Sequence, residues 1–307
     1  MPYSNSLSPI ATVRTRAEFE HALRTCGGVA AGLYDFESGF EAAYHGQPQV
    51  VRGICQVCSG PSDFMVTMDW GGSIADGLYH PNWREQLACT SCGLNNRLRL
   101  IGALLLDWLS NAPQASVYLM EQVTPIYRLL KTNFPSMEII GSEYLGEYLS
   151  GTDVDGLRHE NVEALSFAND SLDLIVSNEV FEHVVNPLKG FAECLRVLKP
   201  GGIMLATFPF HCSEDVSVTR AFPSPTGLIH KLPPVYHGNP VSESGSLVFT
   251  DFGWDLFEDL RRIGFSDARI DLYRSVRHGH LGGVHIQFQF EKRAAHRPPT
   301  GSVAQVL

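Results

Sequence analysis

The stretch 169–210, NDSLDLIVSNEVFEHVVNPLKGFAECLRVLKPGGIMLATFPF, constrains this chain more than any other. Leu172, Leu174, Ile175 and Val176 form a short apolar run ending at Ser177 and Asn178, the pattern of a strand buried on both faces. Leu188, Phe191, Leu195 and Leu198 then recur at three- and four-residue steps, with Lys189, Glu193, Arg196 and Lys199 opposite, which predicts an amphipathic helix. Pro200, Gly201 and Gly202 end it, and 203–208 is the next apolar run. Strand, helix and strand joined by a right-handed crossover form the unit of a doubly wound α/β sheet.

A chain of 307 residues can bury a sizeable core. A net charge of -10 and a pI near 5.6 disfavour sequence-independent binding to nucleic acid, which needs a basic face. No apolar run approaches the length of a membrane span, and the first thirty residues lack the order of a signal peptide, so a soluble cytoplasmic protein is expected.

Cys55 and Cys58, then Cys89 and Cys92, are two C-x-x-C pairs separated by a thirty-residue insert. Two such hooks can set four thiolates tetrahedrally around Zn²⁺, a soft-ligand site with no open position and hence a structural one. Unrelated cysteines or two disulfides are the alternatives, and the lack of an export signal favours zinc over disulfides. Phe64, Trp70, Tyr79 and Trp83 in the insert either pack this lobe or cover a substrate pocket.

The ordered string SLDLIVSNEVFEHV, NP and GFAECLRVLKPGGIMLATFP resembles the fourth strand, helix and fifth strand of class I S-adenosylmethionine-dependent methyltransferases, type 11-like. The resemblance implies a mostly parallel seven-stranded sheet, with S-adenosylmethionine as methyl donor. It divides the chain into an N-terminal extension (1–48), a zinc lobe (49–95), a methyltransferase domain (96–292) with a lid insertion near 212–249, and a flexible tail (293–307). The helix after Cys92 would precede the first strand, 116–120. The family places an acidic residue and a glycine-rich turn after that strand; here EQVTPIYRLLK has no glycine. Glu121 and Thr124 are the candidates to hold the cofactor's amino acid end in a variant turn. Glu143, closing the second strand, resembles the family's ribose-binding acid, against the alternative of a solvated loop glutamate; Tyr144 would pack on adenine. The segment 158–167 resembles the third strand and adenine loop, with Asn161 and the Val162 amide at the base. Asn178 ends the fourth strand at the same pocket.

Glu179, Glu182 and His183 stand at i, i+3 and i+4 at the start of the helix, so all three are expected to project from one face. This spacing resembles the metal triad of ubiquinone-pathway O-methyltransferases and of small-RNA terminal 2′-O-methyltransferases. Three readings stay open: a site for Mg²⁺ or another divalent ion that activates a hydroxyl, His183 as a metal-free base, or a structural contact. His211 is a further candidate ligand or base. The Pro/Gly-rich stretch 212–249 reads as an irregular lid beside the crevice, carrying His230, Tyr236 and His237, the last an alternative general base.

The expected function is methyl transfer to a hydroxyl of a small metabolite or of a sugar on a glycan. An RNA methyltransferase is the second reading. A non-catalytic binding module, motivated by the missing glycines, is the third.

Overall fold

The computed structural model describes residues 7–25 and 36–294. The first six residues, 26–35, and all but the first two residues of the expected tail lie outside the described residues.

Seven strands form the main sheet, in the order Ala11–Val13, Phe265–Ser275, His280–Lys292, Leu198–Thr207, Leu172–Asn178, Ser116–Leu119 and Glu138–Gly141. The last four are mutually parallel, while His280–Lys292 runs antiparallel to both its neighbours. Burial explains the arrangement. In Leu172–Asn178, Leu174 and Val176 enter one apolar layer with Ile101, Leu105, Val117 and Ile126, whereas Leu172 and Ile175 enter the other with Phe181, Phe191, Met204 and Phe288. A strand buried on both faces has to be apolar at consecutive positions, as this one is.

One sheet position differs from the expectation. The segment 158–167 forms no strand of the main sheet: Leu157–Arg158 pairs with Asp153–Val154, and only an isolated bridge from His159 to Glu143 reaches the sheet's edge. The reason lies in its polar residues. Buried Glu160 is satisfied by Arg158 at 2.8 Å and by the Ser166 amide at 2.9 Å, and Asn161 turns the chain by accepting the Glu163 amide. The seventh strand is instead Ala11–Val13, from the expected extension, paired with Phe265–Ser275.

The central helix is Pro187–Val197 and starts later than the triad spacing requires. Asn186 caps it, its side chain accepting the Lys189 amide, and Pro187 takes the first-turn position where its missing N–H costs nothing. Phe191, Cys194 and Val197 are its fully buried residues.

The stretch 212–249 is more regular than expected, with two hairpins, Ala221–Ser224 with Gly227–His230 and Tyr236–Asn239 with Ser242–Leu247. Their strands are short, and three of the four are polar or proline-bearing, so alternation is hard to read in the sequence.

The cysteine lobe is a three-stranded sheet of Gln49–Cys55, Gly60–Val66 and Ala88–Cys89. Its core of Tyr44, Val51, Phe64, Val66, Trp83 and Leu87 is completed by Leu281 from the main sheet. The lobe is thus packed on the domain and is not a free appendage. Arg99 enters this contact with its guanidinium 3.9 Å from the Phe64 ring centroid, donating to the carbonyls of Leu87, His278 and Gly279.

Candidate functional site

Parallel strands leave their carboxyl ends open where neighbouring loops diverge, and here that crevice is a cavity of about 890 Å³. Met120 and Glu121 follow the first parallel strand, Ser142 and Glu143 follow the second, and Asn178 and Glu179 stand at the end of Leu172–Asn178; all line it. Thr124, Tyr144, Asn161, Val162 and His183 line it too. The far wall is the second hairpin of the insertion and its neighbours, including Asn239, Val241, Leu247 and Phe249.

The glycine-less turn has its own solution. Among the described residues with positive φ none falls between 120 and 125, so this backbone makes no demand that glycine alone can meet. Glu143 Oε1 accepts the amides of Gln122 at 2.7 Å and Val123 at 3.0 Å, and the Gln122 side chain accepts the Arg158 amide at 3.0 Å. The glycine sits across the turn instead: a Cβ at Gly141 would lie 2.8 Å from the Glu121 carbonyl oxygen and 2.7 Å from the Tyr127 ring. Thr124 occupies the N-cap position of helix Pro125–Asn133.

Charge in the cavity is uneven. Glu121, Glu143, Glu160, Glu163 and Glu179 face Arg97, the one arginine or lysine among the described lining residues. Burial pushes the Glu121 carboxyl up, and Asn178 Nδ2 donates to it at 2.5 Å. Burial also works against ionising Glu179, yet Arg84, 2.5 Å away, and Arg97 hold it below the ordinary carboxylate value. Tyr144 is exposed, with its ring 5.5 Å from that of His159.

The expected triad does not assemble as the spacing suggested. Glu179 has φ +54° and lies before the short 3-10 turn Phe181–His183, so it does not share a helix face with Glu182 and His183. Its carboxylate is taken by Arg84. The group that does converge is Glu182, His183 and His237, with ligand atoms within 4.8 Å of one another. Glu182 is fully buried, and neither oxygen accepts a well-aligned hydrogen bond. Its nearest partners are His237 Nδ1 at 3.4 Å and His183 Nε2 at 3.5 Å. His183 Nδ1–H donates to the Leu247 carbonyl at 2.9 Å, which leaves Nε2 carrying the lone pair that faces Glu182. The neighbouring Glu182 carboxylate raises His237 against the effect of burial. A buried carboxylate facing two imidazoles is a donor set suited to a divalent cation.

Of the three, His183 alone reaches the cavity lining, with Nδ1 held by the Leu247 carbonyl and Nε2 turned toward Glu182. His211 stands outside the group, 3.8 Å from Asp251. His230 and Tyr236 are exposed on the hairpins and line no part of the cavity.

In the lobe, Cys55 and Cys92 sulfurs are 3.9 Å apart and those of Cys58 and Cys89 3.7 Å. Four sulfurs about 2.3 Å from a tetrahedral zinc stand about 3.8 Å from one another, so the set fits that ion without rearrangement. Phe64 and Trp83 pack the lobe, Trp70 is exposed, and none of the insert's aromatic residues lines the cavity.

Arg97, Arg84 and Glu85 were missed in the sequence. The signal was there for Arg97: in NNRLRLIGALLL, two arginines interrupt an otherwise apolar helix start. An arginine drawn into such an apolar surface is buried only when it is paired.

The methyltransferase domain family matches residues 109–206, from the end of helix Asn96–Asn111 into strand Leu198–Thr207. This stretch is a methyltransferase domain. Ubiquinone biosynthesis O-methyltransferase of Dinoroseobacter shibae is 45% identical over 58 residues, covering 19% of this chain and 23% of that protein. Malonyl-(acyl-carrier protein) O-methyltransferase of Methylococcus capsulatus is 29% identical over 159 residues, covering 50% and 51%. The chain thus spans about a quarter of the length of the first of these curated relatives and about half of the second. Among solved structures, 1,6-didemethyltoxoflavin-N1-methyltransferase of Burkholderia thailandensis has a TM-score of 0.34 at 14% identity, covering 64% of this chain and 78% of that one. No helix among the described residues is long and apolar enough to cross a membrane.

Proposed function

We propose that the protein is an S-adenosylmethionine-dependent methyltransferase acting on a hydroxyl of a small metabolite or of a sugar on a glycan. The observation that carries this reading is the convergence of Glu121, Glu143, Asn161 and Asn178 on one cavity at the carboxyl ends of the parallel strands. The bound donor supplies an electrophilic methyl group on a positively charged sulfur. Glu143 keeps Oε2 for the ribose hydroxyls while Oε1 holds the turn. Asn161 and the Val162 amide serve the base edge. Arg97 spends Nε and Nη2 on Glu85, leaving Nη1 as the edge for the donor's carboxylate. Glu121, with Thr124 at the helix start, takes the amino group. An acidic cavity favours such a cationic donor.

At the acceptor end, neutral residues of the hairpin and Val184 exclude water and orient the nucleophile. Because the His183 Nε2 lone pair faces the buried Glu182 carboxylate, which no hydrogen bond satisfies, a divalent ion held by Glu182, His183 and His237 would satisfy both and suits this geometry better than a metal-free base. Such an ion would supply Lewis acidity toward a hydroxyl. Zinc in the four-cysteine cluster has a structural role. The net charge of -10 counts against RNA as acceptor.

Calorimetry with S-adenosylhomocysteine tests the reading directly. Binding with a micromolar to submillimolar Kd is expected; no heat at millimolar ligand would leave the non-catalytic module as the surviving account. For the second metal, titration of Mn²⁺ into zinc-loaded protein is expected to give one site that Glu182→Gln abolishes and Glu179→Gln keeps. Equal loss in both variants would return Glu179 to the ligand set.

A further inference from the structure

The cysteine lobe touches two residues of the cavity lining, Arg97 and Glu179, through two consecutive residues of its insert. Arg84 and Glu85 lie four to five residues before Cys89, and Cys92 is followed three residues later by Asn95, the N-cap of helix Asn96–Asn111. The lobe closes that helix start. The Gln86 carbonyl accepts the Asn96 amide at 2.9 Å, and the Arg84 carbonyl accepts the Arg97 amide at 3.2 Å. These are two of the amides an isolated helix leaves unsatisfied.

The side chains continue the connection. Glu85 receives Arg97 in a two-point contact, Nε to Oε1 at 2.9 Å and Nη2 to Oε2 at 3.2 Å. Asn95 Nδ2 donates to Glu85 Oε2 at 2.7 Å and Arg84 Nη1 to Oε1 at 2.7 Å. Arg84 Nη2 then reaches Glu179 at 2.5 Å. Burial opposes ionisation of Glu85, but Arg97 and Arg84 hold it charged. A planar guanidinium gripped along one edge has its remaining edge fixed in direction.

We propose that Glu85, with Arg84, is a positioning residue of the methyl-transfer pocket: it aims Arg97 at the cofactor's carboxylate, so the cysteine lobe is a working part of the binding site and not only a stabilising attachment. This rests on the cofactor reading above. The physical reason is pre-organisation. Without Glu85, Arg97 would stand among the cavity's carboxylates and pair with Glu121 or Glu179 instead of the ligand.

The test is S-adenosylhomocysteine affinity by calorimetry in the full zinc-loaded chain, with zinc content and far-UV circular dichroism as folding controls. Glu85→Gln keeps the shape and loses the charge; Glu85→Ala loses both. Glu85→Ala is expected to weaken binding about tenfold, in the range by which members of one ion-pair network couple, with Glu85→Gln between it and wild type. Arg97→Ala is expected to match it, and the double variant to lose little more than either single one. Glu41→Gln serves as the lobe control, because Glu41 pairs with Trp83 and His80 within the lobe; it is expected to leave affinity unchanged. Unchanged affinity in both folded Glu85 variants overturns the proposal, as does equal weakening by Glu41→Gln, which would mean a general effect of lobe integrity. Wild-type protein that binds no S-adenosylhomocysteine overturns the cofactor reading and this inference with it.

Discussion

At the scale of single residues, the chain buries unusual polar groups; Glu182 is left without an aligned hydrogen bond, while several others are tied to specific partners. His285 is a clear case. Its Nε2–H donates to the Leu281 carbonyl at 2.8 Å, and burial, with Arg84, Arg99 and Arg274 nearby, pushes its pKa down to about 4. An unfolded chain would bind that proton near pH 6.5, so the unfolded state holds more protons between the two values. Stability is therefore expected to fall as pH drops from about 6.5 toward 4, by on the order of 3 kcal/mol from this group. Urea melts at pH 7 and pH 5 check it: His285→Gln is expected to flatten the difference, and an equally steep loss in the variant would assign the acid sensitivity elsewhere. His280 shifts in the same direction and adds to it. The glutamates follow the same logic of local partners. Glu179 and Glu182 are three residues apart, yet one is tied to Arg84 and the other is left facing two histidines. That division was invisible in the spacing, because a residue with φ +54° breaks the helical register on which the spacing argument depended.

At the scale of elements, the helix Pro187–Val197 sets the end of the segment that frames the site. Asn186 decides where it begins, and so decides that Phe181–His183 stays a separate short turn against the insertion. Asn186→Ala is expected to cost about 1 kcal/mol, the usual worth of a side-chain N-cap, and to lower Tm by a few degrees. Thermal unfolding followed by circular dichroism reads it, and an unchanged Tm would mean that the Asn186–Pro187 junction is held by tertiary contacts alone. The insertion teaches the reverse lesson. Its strands Tyr236–Asn239 and Ser242–Leu247 carry little apolar alternation, so their pairing comes from the main-chain ladder and from small polar bridges such as Asn239 Nδ2 to Ser246 Oγ at 2.9 Å. They nonetheless bring His237 to Glu182.

For the whole molecule, the lobe and the sheet share contacts through Leu281, Arg99 and the Arg84–Glu85 pair. Removing the lobe's metal should therefore loosen more than the lobe. About one zinc per chain is expected by elemental analysis, lost in Cys89→Ser. Stripping it with a chelator is expected to lower Tm by about 10 °C or more, since metal binding to such a site contributes directly to folding. A native protein without zinc, or a Tm insensitive to chelation, would refute the four-cysteine site.

Apolar runs, helical spacing and cysteine pairs by themselves determined the doubly wound core, its strands and helices apart from the segment 158–167 and the insertion 212–249, and the four-cysteine cluster. These are signals carried by neighbours in sequence, through periodicity and fixed loop spacing, and they need no distant partner to be read. The tertiary structure decided what depends on distant partners: that Ala11–Val13 and not 158–167 completes the sheet, that Glu143 replaces glycine in holding the turn at Glu121, and that His237, fifty-five residues after Glu182, joins it while Glu179 leaves it. The first is a choice of which distant segment pairs with the sheet, and the last is a choice among polar partners of similar chemistry. Distance and burial settle such choices, and no local pattern encodes either.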